Sequence, residues 1–168
     1  MYEANYISLS VQQMLKKYKV IRLEYIYNEL NDKMISKADF YNNNKLIGGK
    51  VIGRSAEEIV EFIHRYGGIA SIAHPYRLRV DFNFEQNSVD KLILNLKHVG
   101  LDAIECYHES HCEDDINYYL NLARKSNMQV TGGSDYHGIS KPEIEIGIGR
   151  GNLNVPHKII KNMVFRRV

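Results

Sequence analysis

Apolar residues recur at helical spacing early in the chain, at Val11, Met14, Leu15 and Tyr18 and again at Leu23, Ile26, Tyr27 and Leu30. A third short helix is expected over Ile35 to Tyr41. Helices of about ten residues bury too little to stand alone, so they must dock on the rest of the chain or on something else. Asn42-Asn43-Asn44 and Gly48-Gly49 are turn signals. They divide a helical segment, residues 1–47, from residues 48–168, where the pattern changes.

Beyond the boundary, helices and strands alternate. Ile59, Phe62, Ile63 and Tyr66 line one face of a helix opened by a Ser55/Glu58 capping box and stopped by Gly67. An apolar strand, Ile69 to Ala73, ends at His74-Pro75, because proline cannot donate to a ladder. Residues 76–87 are expected to be a polar loop. Ser88 then opens a helix carrying Leu92, Leu96 and Val99, closed by Gly100. A second strand follows, Asp102 to Cys106, then a helix from about Glu113 to Lys125 whose acidic start and basic end suit its dipole. A third strand, Met128 to Thr131, runs into Gly132-Gly133-Ser134-Asp135-Tyr136-His137. One more strand, Glu145 to Gly149, and a short helix after Pro156 complete the reading. Such alternation predicts an α/β fold with a parallel sheet.

Composition narrows the partners. The chain has 168 residues and a formal charge of +2, and no run of like charge marks a nucleic-acid or membrane surface. Arg166 and Arg167 make a basic tail of the kind that is usually solvated. Cys106 and Cys112, with no secretory signal, do not suggest a disulfide framework, and a cytoplasmic protein is expected. No apolar run reaches the roughly 20 residues that span a membrane.

The chemistry gathers where parallel folds place it, at the carboxyl ends of strands. The first ends in His74, the second in Glu105 with His108 and His111 beyond, the third in Asp135 and His137. Residues two apart in extended chain point to one side, so Asp135 and His137 can reach one ion or two neighbouring ions. A glycine turn with an Asp cap and a surface histidine is the alternative. His74 has its own alternative as a hydrogen-bonded core histidine. Alternation puts Ala103 and Glu105 on one face of the second strand and Ile104 and Cys106 on the other. A buried Glu105 needs a metal or an arginine partner, and a salt bridge serves as well as an ion. His111 precedes the third helix and can face the same mouth, whereas His108 carries less weight. Arg77 and Arg79 follow His74-Pro75 and can clamp a phosphate, or be merely solvated. His64, His98 and His157 are read as solvated, and Cys106 as a small core residue. No phosphate-binding loop, dinucleotide fingerprint, H-E-x-x-H, Cys-x-x-Cys or nucleophile elbow occurs.

These residues also resemble a known family. Gly67-Gly68-Ile69-Ala70-Ser71-Ile72-Ala73-His74-Pro75 resembles the GG-apolar-AHP element of the PHP (polymerase and histidinol phosphatase) phosphoesterases. Gly100 to Glu105 resembles their GLDGIE strand, Ser110-His111 the SH after it, and Thr131 to Gly138 their TGGSDFHG signature. The resemblance covers about residues 50–155 and is nearest the nucleoside-bisphosphate and small-oligonucleotide phosphatases. It implies a distorted seven-stranded (β/α) barrel with two or three divalent ions, commonly manganese, zinc or iron. His74, Asp135 and His137 fall on metal-ligand positions. Glu105 and His111 fall near the site. Glu105 is counted with the ligands, and His111 and Arg77 with the groups that steady phosphate or leaving group. Residues 1–47 resemble part of a helical insertion, with Lys37-Ala38-Asp39 where an Arg-Pro-His stretch is usual. The family's opening H-x-H, following Asp and G-x-E strand are absent.

The expectation is therefore a partial (β/α)7 barrel carrying the C-terminal part of a metal-dependent phosphoesterase. Its substrate would be a phosphorylated small molecule or short oligonucleotide. A homodimer or a separately encoded N-terminal half would complete it. The competing readings are an inactive fragment acting as an interaction module and a polymerase-associated domain. The small charge and short length count against the last.

Overall fold

The computed structural model describes residues 11–18 and 54–165. The helices expected around 23–30 and 35–41, the turn signals at 42–49 and the tail arginines lie outside the described residues. The chain divides into two units, Met1–Ile52 and Gly53–Val168. In the first, the described element is helix α1, Val11–Tyr18, as its spacing predicts. Among the described residues no helix is long and apolar enough to cross a membrane.

The second unit opens with α2, Ala56–Arg65. Its capping box is formed, with Glu58 N–H donating to Ser55 Oγ and Ser55 N–H to Glu58 Oε2. The following strand, β1, is only Ser71–Ile72. His74 cuts it short by turning into the left-handed region at φ 32°, ahead of a proline with no N–H. Residues 76–87 are not a loop. Tyr76–Phe82 form α3, because Pro75 sits at φ −60°, ψ −26°, already set for a first helical turn. An Arg77–Asp81 ion pair one turn apart supports it, and Asn83 at φ 57° ends it. Helix α4, Gln86–His98, starts two residues before Ser88, from an extended Glu85.

Strand β2 runs Ala103–His108, longer than the apolar pattern predicts. Helix α5, Glu113–Lys125, and strand β3, Gln129–Gly133, follow. The three strands form one parallel sheet in the order β1-β2-β3. Among the described residues the sheet is open and three-stranded rather than closed into a barrel. The expected strand at 145–149 is a single antiparallel bridge between Glu145 and Gly149, and α6 is Lys158–Asn162.

The core lies between the sheet and its helices. Ile104 and Cys106 of β2 pack with Val89 and Ile93 of α4 and with Tyr119 and Ala123 of α5. Removing this much apolar surface from water is what holds the strand ends in place. His64 is not solvated: its Nε2 lies 2.7 Å from Asp102 Oδ2, which also accepts the Ala70 N–H at 2.8 Å. That carboxylate ties α2 to the base of β1.

Candidate functional site at the carboxyl ends of the strands

Register decides which side chains face the site. Ser71 pairs with Ala103, Ala103 with Gln129, and Glu105 with Thr131. Those residues share the sheet face opposite the helical core, and the Ser71 and Thr131 hydroxyls meet across it at 2.7 Å. Cys106 then has no partner: the ladder resumes as Tyr107 with Gly132 and His108 with Gly133. One extra residue in β2 makes a bulge that puts Cys106 and Tyr107 together on the core side. His108 is thereby turned onto the face of Glu105. Strict alternation would have sent it into the core.

Glu105 reaches under the end of β1. Its Oε2 accepts the backbone N–H of His74 at 2.6 Å. Burial pushes its carboxyl up to about 7, against that hydrogen bond, with Asp135 adding a further upward push. His74 and Asp135 both hold positive φ, 32° and 54°, a strained conformation for residues with a Cβ. Asn83 and Asn127 share that region, but asparagine tolerates it better.

Three imidazoles follow one another inward from the mouth. The His74 and His108 rings are 5.3 Å apart, and His108 and His111 are 5.4 Å apart. His108 is 1% exposed and His111 5%. Burial lowers the pKa of all three, with Asp135 pulling the other way at His74 and His108, and His108 falls to about 4. At neutral pH they are uncharged, as ligands and bases must be.

Asp135 is the anion among them. Burial pushes its pKa up, but the hydrogen bond and charge of Lys141, then His137 and His108, outweigh it and the net shift is downward. Lys141 Nζ lies 2.5 Å from Asp135 Oδ2, and His108 Nε2 lies 3.8 Å from the same oxygen. His137 stands beside it, its Nδ1 2.5 Å from the Asp135 backbone carbonyl. A carbonyl only accepts, so Nδ1 carries the proton and Nε2 is bare, which is the tautomer a metal ligand needs.

The fit to a divalent ion is thus partial. Asp135 and His137 have the right charge and tautomer, and His74 is neutral at the same mouth. Among the described residues, however, no group of three or more ligand side chains is gathered closely enough to hold an ion. His108 does not suit a ligand. Its Nδ1 accepts the Ser110 N–H at 3.2 Å, so its neutral ring carries the proton on Nε2.

The other expected site residues fall differently. Arg77 lies on α3 rather than in a loop, held by Asp81 at 2.8 Å. Arg79 stands 5.7 Å from the Tyr76 ring centroid. His111 is buried, and its Nδ1 is bound to the Cys106 carbonyl at 2.8 Å. Cys106 is a core residue, its thiol pushed up to about 12 by burial and the nearby Glu105. Lys141, which has no motif around it, escapes the sequence, and His108 carries less weight there than its contact with Asp135 gives it, because the bulge hides its facing.

No family model matches the chain. Over 93 residues, 55% of its length, it is 30% identical to a 3',5'-nucleoside bisphosphate phosphatase of Chromobacterium violaceum, covering 31% of that protein. It is 36% identical over 78 residues, 46% of the chain, to a 5'-3' exoribonuclease of Haemophilus influenzae, covering 27% of it. A phosphoribosyl 1,2-cyclic phosphate 1,2-diphosphodiesterase of Eggerthella lenta is 36% identical over 83 residues, 49% of this chain and 28% of that one. The matches thus span less than a third of each relative. In fold, the chain is similar to a protein of Bifidobacterium adolescentis assigned as a metal-dependent phosphoesterase. The TM-score is 0.60 at 17% identity, over 95% of this chain and 57% of that one. At that identity the likeness is one of fold.

Proposed function

The α/β unit of this chain is related to the PHP-family phosphoesterases, and on that premise we propose that the chain is the C-terminal portion of a metal-dependent phosphoesterase. Its substrates would be phosphate esters of nucleotides or short oligonucleotides. The observation that carries the reading is the gathering of His74, His108 and His137 around an ionised Asp135 at one end of a parallel sheet. Two of the relatives, by name, act on a nucleoside bisphosphate and on RNA, which supports the substrate class.

His74, Asp135 and His137 would hold the ion, manganese, zinc or iron, with Glu105 behind them and further donors supplied by a second copy or a separately encoded N-terminal half. Such an ion lowers the pKa of a bound water and polarises a phosphoryl oxygen. The chain's own groups do the rest. Lys141 keeps Asp135 ionised. Glu105 fixes the backbone of His74. His108 keeps its Nε2–H without a partner, 3.8 Å from Asp135 Oδ2, and would donate it as a hydrogen bond to a phosphoryl oxygen brought against Asp135. Arg77 must exchange Asp81 for phosphate before it can act as a clamp.

The test is release of inorganic phosphate from a nucleoside 3',5'-bisphosphate by the full chain with Mn2+, Zn2+ or Fe2+. Weak turnover or none by the chain alone, and turnover with a supplied N-terminal half that Asp135→Asn and His74→Ala abolish, is expected. A chain without turnover even with a supplied N-terminal half favours a second reading: a non-catalytic module that binds another chain. That reading draws on the incomplete ligand set among the described residues and on Ile59 and Phe62 of α2 and Tyr66 at its C-cap, which are 46%, 55% and 70% exposed. A second copy or an N-terminal half would cover them, and light scattering reads the stoichiometry.

A further inference from the structure

We infer that His111 is a positioning residue: through the Cys106 carbonyl it holds the bulge in β2 that turns His108 onto the site face. The inference rests on the reading of this mouth as the reactive site, but its geometry is independent of any substrate.

A bulge leaves a residue out of the ladder, and its backbone groups need other partners. Cys106 is the residue left out, and its carbonyl is 2.8 Å from His111 Nδ1. A carbonyl only accepts, so the imidazole donates and Nδ1 is its protonated nitrogen. The chain returns His111 to this point by a tight turn, closed by His111 N–H to the His108 carbonyl at 3.0 Å. Within the same turn Ser110 fixes the His108 ring, its N–H donating to Nδ1 at 3.2 Å and its hydroxyl lying 2.8 Å away. Tyr107-His108-Glu109-Ser110-His111 is thus one device: the last residue locks the bulge, the turn orients the ring, and the ring reaches Asp135.

The other nitrogen of His111 supports this role. Nε2 is buried with no hydrogen-bond partner, and the ring lies 5.3 Å from that of the fully buried Tyr119. His108 Nε2 is buried without a partner too, but it lies 3.8 Å from Asp135 Oδ2 at the site, whereas the His111 ring packs on Tyr119 of the core.

Asparagine and glutamine separate the two nitrogens. Asn can place an amide N–H where Nδ1 stands, whereas Gln reaches toward Nε2. The experiment uses the full chain, isotope-labelled, and reads nuclear Overhauser contacts of the His108 ring. In the unaltered protein and His111→Asn, contacts to Gly133 Hα are expected. In His111→Gln they should be lost and replaced by contacts to Ser134, the residue a ladder without the bulge would set beside His108. Phosphate release from p-nitrophenyl phosphate with Mn2+ should stay within about threefold in His111→Asn and fall more than about tenfold in His111→Gln. Any other pattern of contacts overturns the inference, including both variants keeping the contact, both losing it, or Gln alone keeping it. Should a variant fail to fold, the unaltered chain still decides. A His111 Hδ1 proton coupled through its hydrogen bond to the Cys106 carbonyl must be seen, and its absence refutes the role. If no protein releases phosphate yet the contacts follow the expected pattern, the catalytic reading fails and the positioning of His108 stands.

Discussion

Gly132 and Gly133 are adjacent in β3, and substitution by alanine should affect them oppositely. A Cβ at Gly132 would lie 2.7 Å from Tyr107 Cβ and 2.9 Å from the Tyr107 carbonyl oxygen, with Val155 Cγ1 at 3.1 Å. The first two are the fixed parts of the neighbouring strand at its bulge, so β2 and β3 must separate. Overpacking of this kind costs about 1–3 kcal/mol. A Cβ at Gly133 meets only Glu105 Oε1 at 3.6 Å, an ordinary contact. Replacing a glycine at a compatible backbone stabilises by about 0.4–1 kcal/mol through the unfolded chain. Thermal unfolding of the full-length variants, followed by circular dichroism, should therefore show Gly132→Ala melting lower than Gly133→Ala. At about 2–4 °C per kcal/mol for a domain of this size, the gap is roughly 3–15 °C. Equal melting temperatures, or the reverse order, would refute the register that turns His108 to the site.

Further outcomes follow from the same geometry. Native His108 has a pKa near 4 against an ordinary 6.5, so its neutral form is stabilised by folding. Stability is full above about 6.5 and declines as pH falls toward 4, by up to roughly 3 kcal/mol, and His74 and His111 act in the same direction. The raised Glu105 carboxyl acts in the opposite direction over the same window, so urea unfolding of metal-free Glu105→Gln protein at pH 7 and 5 measures it, and equal stability at both would contradict the buried neutral imidazoles. Lys141→Met removes the ammonium that competes for Asp135, so Mn2+ affinity measured by calorimetry should rise severalfold; a fall would mean Lys141 supports the ion instead. Ala103→Leu places bulk on the face where Ser71 and Thr131 meet and should lower stability by about 1–3 kcal/mol, read by the same denaturant titration.

Much of the α/β unit is legible in the sequence because its signals are local. The Ser55/Glu58 box, the stop at Gly67 and the charged ends of α5 each act within a turn or two of chain. The helix at 76–82 is missed because its polar residues read as loop, while Pro75 and the Arg77–Asp81 pair supply a start and a brace that periodicity does not register. At the mouth, His74, Glu105, Asp135 and His137 are visible as strand-end residues. The facing of His108 is not, since an extra residue at Cys106 inverts the alternation on which the facing of β2 depends, and a bulge is a property of two strands together. His64 is misread for a related reason: its partner Asp102 lies 38 residues away.

Phosphoester hydrolysis at this mouth requires the strand ends to hold a divalent ion. The most direct measurement is metal content: strip the full chain, reload it with manganese, zinc or iron, and count bound ions by elemental analysis beside Asp135→Asn. At least one ion retained per chain through desalting, and lost in the variant, is the result predicted. No ion retained by either protein would contradict it, leaving the imidazoles and Asp135 as a hydrogen-bonded structural cluster.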